Sequence, residues 1–182
     1  MSGGRTFSQT RLGRFLSVSF NQPLGQRIAP DGVRGYYVDM RVKAKSPAWP
    51  SADLPPLDRA LKVVIAQWGL GAYEHWLETG DEQWLAGARA ACDHFLATQR
   101  KDGPLAGGWP HEQSFPHSYE LPAGWLSGMA QGEAASLLVR VHSETGDDAL
   151  AEAALRGLGP LSVRSAEGGV RVELEGGPFF EE

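Results

Sequence analysis

The sequence predicts a mainly α protein, a partial (α/α) toroid of helical hairpins with short β segments at both ends. Three observations predict it. Two long stretches are apolar around nearly their whole circumference, and each is followed by a stretch that is apolar on one side only. In both pairs the inner stretch closes on the same four residues, Glu78-Thr79-Gly80-Asp81 and Glu144-Thr145-Gly146-Asp147, about 65 residues apart. Short alternating or glycine-punctuated runs stand before the first pair and after the second.

Each element follows in order. Residues 1–33 are basic at the start and broken by turn residues at the end, which reads as an arm or a pair of short strands. Tyr36 and Tyr37 lead into an alternation from Val38 to Val42 that predicts a half-exposed strand. Pro47, Pro50, Pro55 and Pro56 make residues 46–56 a linker that cannot be helix. From Leu57 the period changes to that of a helix. Val64, Ile65, Trp68, Ala72 and Trp76 share one face and Val63, Ala66, Leu70 and Leu77 the other, so this helix is buried on both sides.

Gly80 suits its C-cap, and Asp81 the N-cap of an outer helix over residues 82–99. That helix gathers Trp84, Ala88, Ala91, Cys92, Phe95 and Leu96 on one stripe. A loop over residues 101–122, rich in Gly, Pro and aromatics, separates the pairs. Residues 125–141 repeat the inner helix, Ile65-Ala66-Gln67 answering Met129-Ala130-Gln131, and residues 148–158 repeat the outer one. Two such pairs are a fraction of a toroid or solenoid. Leu161-Ser162-Val163, residues 168–174 and residues 176–180 read as short strands around Gly turns. Two regions result: residues 1–50, an arm with short β segments, and residues 51–182, the partial toroid, a catalytic-type domain.

Composition narrows the function. With 23 Gly, 12 Pro, 42% apolar and 21% charged residues among 182, the chain is too apolar to be disordered and too loop-rich for a plain bundle. A net charge of −5 gives no global attraction to nucleic acid, and no nucleic-acid partner is expected. No run reaches the length of a membrane span or of a secretory signal, so a cytoplasmic location is expected. The one cysteine, Cys92, excludes an internal disulfide framework and reads as core. No two of the five histidines have the i, i+4 spacing of a helical zinc site, and no metal site is predicted. There is neither a Gly-x-Ser-x-Gly elbow nor a phosphate loop.

Polar groups in apolar surroundings remain as candidates. Gln67 and Gln131 lie on the all-round apolar helices, where an amide must find partners. Either both point into a toroid cavity and bind a polar substrate, or both bond neighbouring backbone between helices; Glu133 poses the same question. In the loop, Trp109, His111, Tyr119 and Trp125 combine aromatic faces with polar edges, which suits sugar rings. The alternative is that Trp109, Tyr119 and Trp125 plug the end of a helical domain.

From about Tyr36 to Glu182 the sequence resembles the C-terminal domain of the D-glucuronyl C5-epimerase family. The resemblance is carried by residues 65–70 (Ile-Ala-Gln-Trp-Gly-Leu), Gly107-Gly108-Trp109-Pro110, residues 124–134 with their Trp-x-Ser-x-Met-Ala-Gln-Gly core, Leu138-Val139-Arg140, and residues 176–182. It implies an (α/α) toroid with attached β structure, a cleft lined by tyrosines and a glutamate, and an acidic heparosan- or heparan-type polysaccharide as substrate. It implies C5 proton abstraction and return, with no redox cofactor.

By position Glu182 matches the family's catalytic glutamate and Glu181 its neighbour. The family's next residue, a tyrosine, is absent here, as are further site tyrosines and toroid helices. Tyr36, Tyr37, Tyr73 and Tyr119 are the tyrosines present. A truncated family member is the expectation, with exposed inner-helix faces that favour association, for example as a homodimer. Arg41, Lys43 and Lys45 read as a solvated strand edge or as contacts to substrate carboxylates. Another toroid polysaccharide lyase or glycosidase, or a sugar-binding or assembly module without turnover, are the competing readings.

Overall fold

The structure, a computed structural model, describes residues 24–28, 35–38, 40–44, 57–116 and 120–181. It opens with an antiparallel pair, β1 (Leu24–Ile28) and β2 (Gly35–Val38), with Leu24 opposite Val38 and Ile28 opposite Gly35. The predicted strand does not continue to Val42: the backbone turns into a short helix, α1 (Arg41–Ala44). Tertiary contact overrides the local alternation there. Gly71 lets this segment lie against the first long helix, because a Cβ at that position would stand 2.3 Å from the Met40 carbonyl oxygen. The Met40 N–H donates to the buried Glu74 carboxylate at 2.7 Å. Arg41 and Lys43 therefore sit on a helix, not on a strand edge. Lys45 and the linker at 46–56 lie outside the described residues.

The inner helix α2 (Lys62–Thr79) is buried all round, as its pattern predicts: Ile65, Ala66, Trp68, Leu70, Ala72 and Tyr73 are each 2% exposed or less. The outer helix α3 (Glu82–Thr98) buries its single stripe of Ala88, Ala91, Cys92 and Phe95. Burial pushes the Cys92 thiol far up, so it packs and does not react. The second pair is α4 (Gly128–Thr145) and α5 (Asp148–Gly157). Trp125 and Leu126 stay outside α4 because Ser127 is its N-cap, its hydroxyl accepting the Ala130 N–H at 3.1 Å.

The repeated tetrapeptide builds the same turn twice. Gly80 and Gly146 take the left-handed conformation, φ 68° and 69°, that ends each inner helix. Asp81 and Asp147 then cap the outer helices by accepting the N–H groups of Gln83 and Ala149. Arg89 on α3 reaches across to the second turn and pairs with Asp147 at 2.6 Å, which ties one hairpin to the next.

Register along the inner helices follows the repeat. Gln67 on α2 meets Glu133 on α4, and Glu74 meets Arg140, each partner 66 positions further along the chain. The helices thus run parallel, side by side. The same offset carries Ala66, Gly69, Leu70, Tyr73, Ala88 and Cys92, all buried on the first hairpin, to Gly132, Ala135, Ser136, Val139, Ala154 and Leu158 on the second. There they line an open apolar groove of about 440 Å³. Val139 is 50% exposed, Leu155 72% and Leu158 43%. Met129, on the same helix, is 47% exposed. The apolar face of α4 that the sequence predicts as inner is uncovered among the described residues.

After α5 the run at 161–163 is not a strand. Pro160, with its fixed φ and no N–H, sits in a 3₁₀ turn over Gly159–Ser162. A second such turn, Ser165–Glu167, leads to the antiparallel pair β5 (Arg171–Leu174) and β6 (Gly177–Phe180), with Arg171 opposite Phe180. Among the described residues no helix is long and apolar enough to cross a membrane.

Candidate functional site

The site is built where the inter-pair loop, the start of α4 and the end of β6 meet. The loop closes on itself at its base, where the Arg100 N–H donates to the Gly108 carbonyl at 2.9 Å and Gly107 donates back to Arg100 at 2.7 Å. Gly107 has φ 88° and passes so close to α5 that a Cβ would stand 2.0 Å from the Arg156 carbonyl oxygen. Trp109 follows and is 0% exposed. Its indole donates to the Phe95 carbonyl at 2.9 Å and its ring meets Phe95 edge-on at 5.4 Å. The bare α-carbon of Gly157 makes room for it, since a Cβ there would lie 2.2 Å from the ring.

Gln131 is equally buried, 0% exposed, and both ends of its amide hold the Trp109 backbone: Oε1 accepts the N–H at 3.1 Å and Nε2 donates to the carbonyl at 3.3 Å. Of the two fates open to this glutamine, its hydrogen bonds are those of the second, a contact to backbone between elements. Gln67 differs. Its amide donates to Glu133 at 3.0 Å and lies against the Met129 sulfur, on the side where α2 faces α4. Lys43 from α1 stands near the same Glu133; burial lowers the lysine pKa and the glutamate partly restores it.

His111 turns the loop towards α4. Its N–H donates to the Trp125 carbonyl at 2.9 Å and its own carbonyl accepts from Gly124 at 2.7 Å. The two rings stack at 3.8 Å and 7°. Trp125 in turn donates its indole N–H to the Gln113 carbonyl and carries Phe115 at 5.9 Å. Phe115 belongs to a two-residue pair, β3 (Phe115–Pro116) with β4 (Glu120–Leu121). Trp125 lines a cavity of about 370 Å³ together with residues 121–126, Gly168, Val170 and Glu181.

Glu181 enters that cavity from β6, and its backbone is fixed at both ends. Its N–H donates to Val170 at 2.7 Å, and its carbonyl accepts the N–H of Gly128, in the first turn of α4, at 2.9 Å. Gly128 makes this crossing close, because a Cβ would stand 3.0 Å from the Glu181 carbonyl oxygen and the strand would have to give by a few tenths of an ångström. The structure thus brings Trp125 and Glu181 to one cavity, with His111 behind Trp125. It places Trp109 and Gln131 beneath the loop and Gln67 on the inner helical face. Tyr119 and Glu182 lie outside the described residues.

Two residues at the other side of His111 escaped sequence reasoning. Lys62, the first residue of α2, donates its backbone N–H to His111 Nε2 at 3.1 Å, and its ammonium donates to His94 Nε2 on α3 at 2.8 Å. A lysine heading an otherwise apolar helix was the signal available. Burial, and the neighbouring Lys62 charge, lower the pKa of His94 from 6.5 to about 4. Burial does the same to His111, against the pull of the Trp125 carbonyl and with the help of Lys62, again to about 4.

The unfolded chain therefore binds more protons than the folded one between those values, and its histidines carry charges that the folded site refuses. Stability is expected to be fully present above pH 6.5 and to fall as pH drops towards 4. Urea midpoints measured across that range check this, and replacing His94 by Gln should flatten the fall.

A helical-hairpin repeat, with an aromatic and acidic cavity where a loop and a closing strand cross the start of an inner helix, is the class that fold and site define. Residues 102–182 match the sequence profile described as "D-glucuronyl C5-epimerase C-terminus". A D-glucuronyl C5-epimerase of Caenorhabditis elegans is 38% identical over 96 residues, which take in 51% of this chain and 15% of the relative. The site elements described here, from the loop to β6, fall almost wholly inside the matched segment.

Proposed function

We propose that the chain serves C5 epimerisation of glucuronate residues in a heparosan- or heparan-type polysaccharide, with Glu182 as a proton-transferring group and Glu181 beside it. The observation that carries this reading is the crossing of the chain after β6 over the start of α4, which holds the Glu181 backbone at both ends and places Glu181 in the lining of the cavity that Trp125 also lines. The family match over this segment supports it. A partial toroid of residues 51–182 after an arm of residues 1–50 is part of the same proposal.

The chemistry is redox-neutral. A carboxylate takes the C5 proton, and the electron pair of the broken C–H bond moves into the adjoining carboxylate group as an enolate-like charge. A second acid then returns a proton to the opposite face of C5. Trp125 offers a ring face to a sugar, and Gly128 holds the closing strand in place as a positioning residue.

The test is solvent deuterium exchange into C5 of heparosan, read by mass or NMR. Exchange that is lost on Glu182→Gln supports the reading. Silence of the parent chain with intact heparosan binding overturns it in favour of a sugar-binding or assembly module. The exposed groove of Val139, Leu155 and Leu158 favours that second reading, and with it a homodimer or other association. A lyase would be recognised by its unsaturated product.

A further inference from the structure

Helix α2 begins without a side-chain cap of its own. Leu61 at its N-cap makes no capping hydrogen bond, and the Lys62 N–H donates instead to His111 Nε2 of the inter-pair loop, at 3.1 Å. An imidazole nitrogen that accepts carries no hydrogen, so His111 is neutral with its hydrogen on Nδ1. The ring is 2% exposed and lies flat on Trp125, at 3.8 Å and 7°. One side chain therefore joins the start of α2 to the tryptophan that lines the Glu181 cavity.

Protonation is incompatible with this join. An imidazolium donates from both nitrogens, so its Nε2–H would meet the Lys62 N–H donor against donor and leave that buried group without an acceptor. The surroundings oppose the charge as well: burial lowers the His111 pKa, the Trp125 backbone pulls it up, and the Lys62 charge lowers it again, to about 4. The lining that His111 and Lys62 share also holds His94 on α3, bonded to the Lys62 ammonium, and the exposed Asp58 and Glu112. A released ring titrates at its ordinary 6.5, so below about pH 4 the join is weaker than at neutral pH by about two orders of magnitude. A second tie between this loop and the chain before α2, from Gln113 to the Arg59 carbonyl, is exposed to water.

We propose that His111 is a positioning residue that fixes the Trp125 ring at the cavity only while its imidazole is neutral, so that acid frees Trp125 before the fold is lost. The cavity then keeps Glu181 and loses its ordered indole. The inference concerns the shape of the cavity and does not rest on the epimerase reading; absence of C5 exchange would leave it standing.

Indole N–H resonances of the full chain, followed by NMR from about pH 7 to about pH 4, test it. The Trp125 resonance is expected to move with the titration of the His111 imidazole, while that of Trp109, bonded to the Phe95 carbonyl, stays in place. His111→Gln offers an amide oxygen to the Lys62 N–H and does not titrate. It should keep the neutral-pH position of the Trp125 resonance and remove the acid response. Lys62→Pro deletes the N–H itself; proline suits a first helical position, and Leu61, at φ −62° and ψ 144°, already has the backbone that a following proline requires. This variant should shift Trp125 at neutral pH and raise the His111 pKa towards 6.5, and it covers the case in which His111→Gln does not fold. A Trp125 resonance that is still while His111 titrates, movement of Trp125 and Trp109 together, an acid response that survives His111→Gln, or an unshifted Trp125 in Lys62→Pro would each overturn the assignment.

Discussion

Replacing Gln131 by Leu is expected to destabilise the fold by about 2–4 kcal/mol, although the side chains are similar in size. The amide is 0% exposed and makes both of its hydrogen bonds to the backbone of one residue, Trp109. Leucine removes both partners at once and leaves a buried N–H and a buried carbonyl unpaired, each worth about 1–3 kcal/mol. No rearrangement rescues them cheaply, because the Trp109 ring is locked between Phe95 and Gly157. The loop that carries His111 to Trp125 departs from this point, so the effect is transmitted to the site. Urea unfolding should show a lowered midpoint with an unchanged slope, and near-ultraviolet circular dichroism should report altered tryptophan surroundings in the folded state. A change below about 0.5 kcal/mol would mean that the loop backbone finds water instead.

The helical part of this architecture is legible because each of its signals is local. The double turn at Glu78–Asp81 and Glu144–Asp147 needs a Gly that adopts positive φ and an Asp that caps, and both are chemically distinctive residues. All-round apolarity likewise separates α2 from the one-sided α3. What escapes the sequence depends on contacts between distant residues. Val38 to Val42 alternates like a strand, yet Gly71 and Glu74 on another element capture Met40 and turn the chain into α1. Leu161 to Val163 looks like a strand until Pro160 is seen to sit in a 3₁₀ turn.

The site was legible in its outline and not in its sorting. Trp109 and Trp125 come from the same aromatic loop and have the same sugar-binding credentials. One is interred against Phe95 and the other lines a cavity, and the difference lies in Gln131 and Gly157, which are 22 and more residues away along the chain. Lys62 offers a sharper lesson. A lysine at the head of a helix reads as solvated, and only the folding of His94 and His111 around it reveals a buried ammonium.

Glu74→Leu is expected to have the largest effect on stability, about 3–5 kcal/mol, because it removes a buried carboxylate from its ion pair with a mostly buried guanidinium. Glu74 is 0% exposed in the middle of α2; Oε1 accepts from Arg140 on α4 at 3.2 Å and Oε2 from the Met40 N–H at 2.7 Å, so one carboxylate joins α1, α2 and α4. Losing it leaves the Arg140 side chain, only 16% exposed, without that counter-charge, and frees the start of α1. Arg140→Met alone keeps the Met40 N–H on the carboxylate but removes the Arg140 counter-charge from the 0% exposed Glu74, and should cost a comparable amount. The double variant Glu74→Leu/Arg140→Met separates charge from packing. If the penalty of the first variant is the stranded guanidinium, the double variant recovers part of the loss, whereas independent packing defects would add. A double-mutant cycle read from chemical denaturation decides between them. Strict additivity would show that Glu74 acts through α1 alone, and a coupling of 1 kcal/mol or more, of the order found for contacting pairs, would place the pair itself at the junction of the two hairpins.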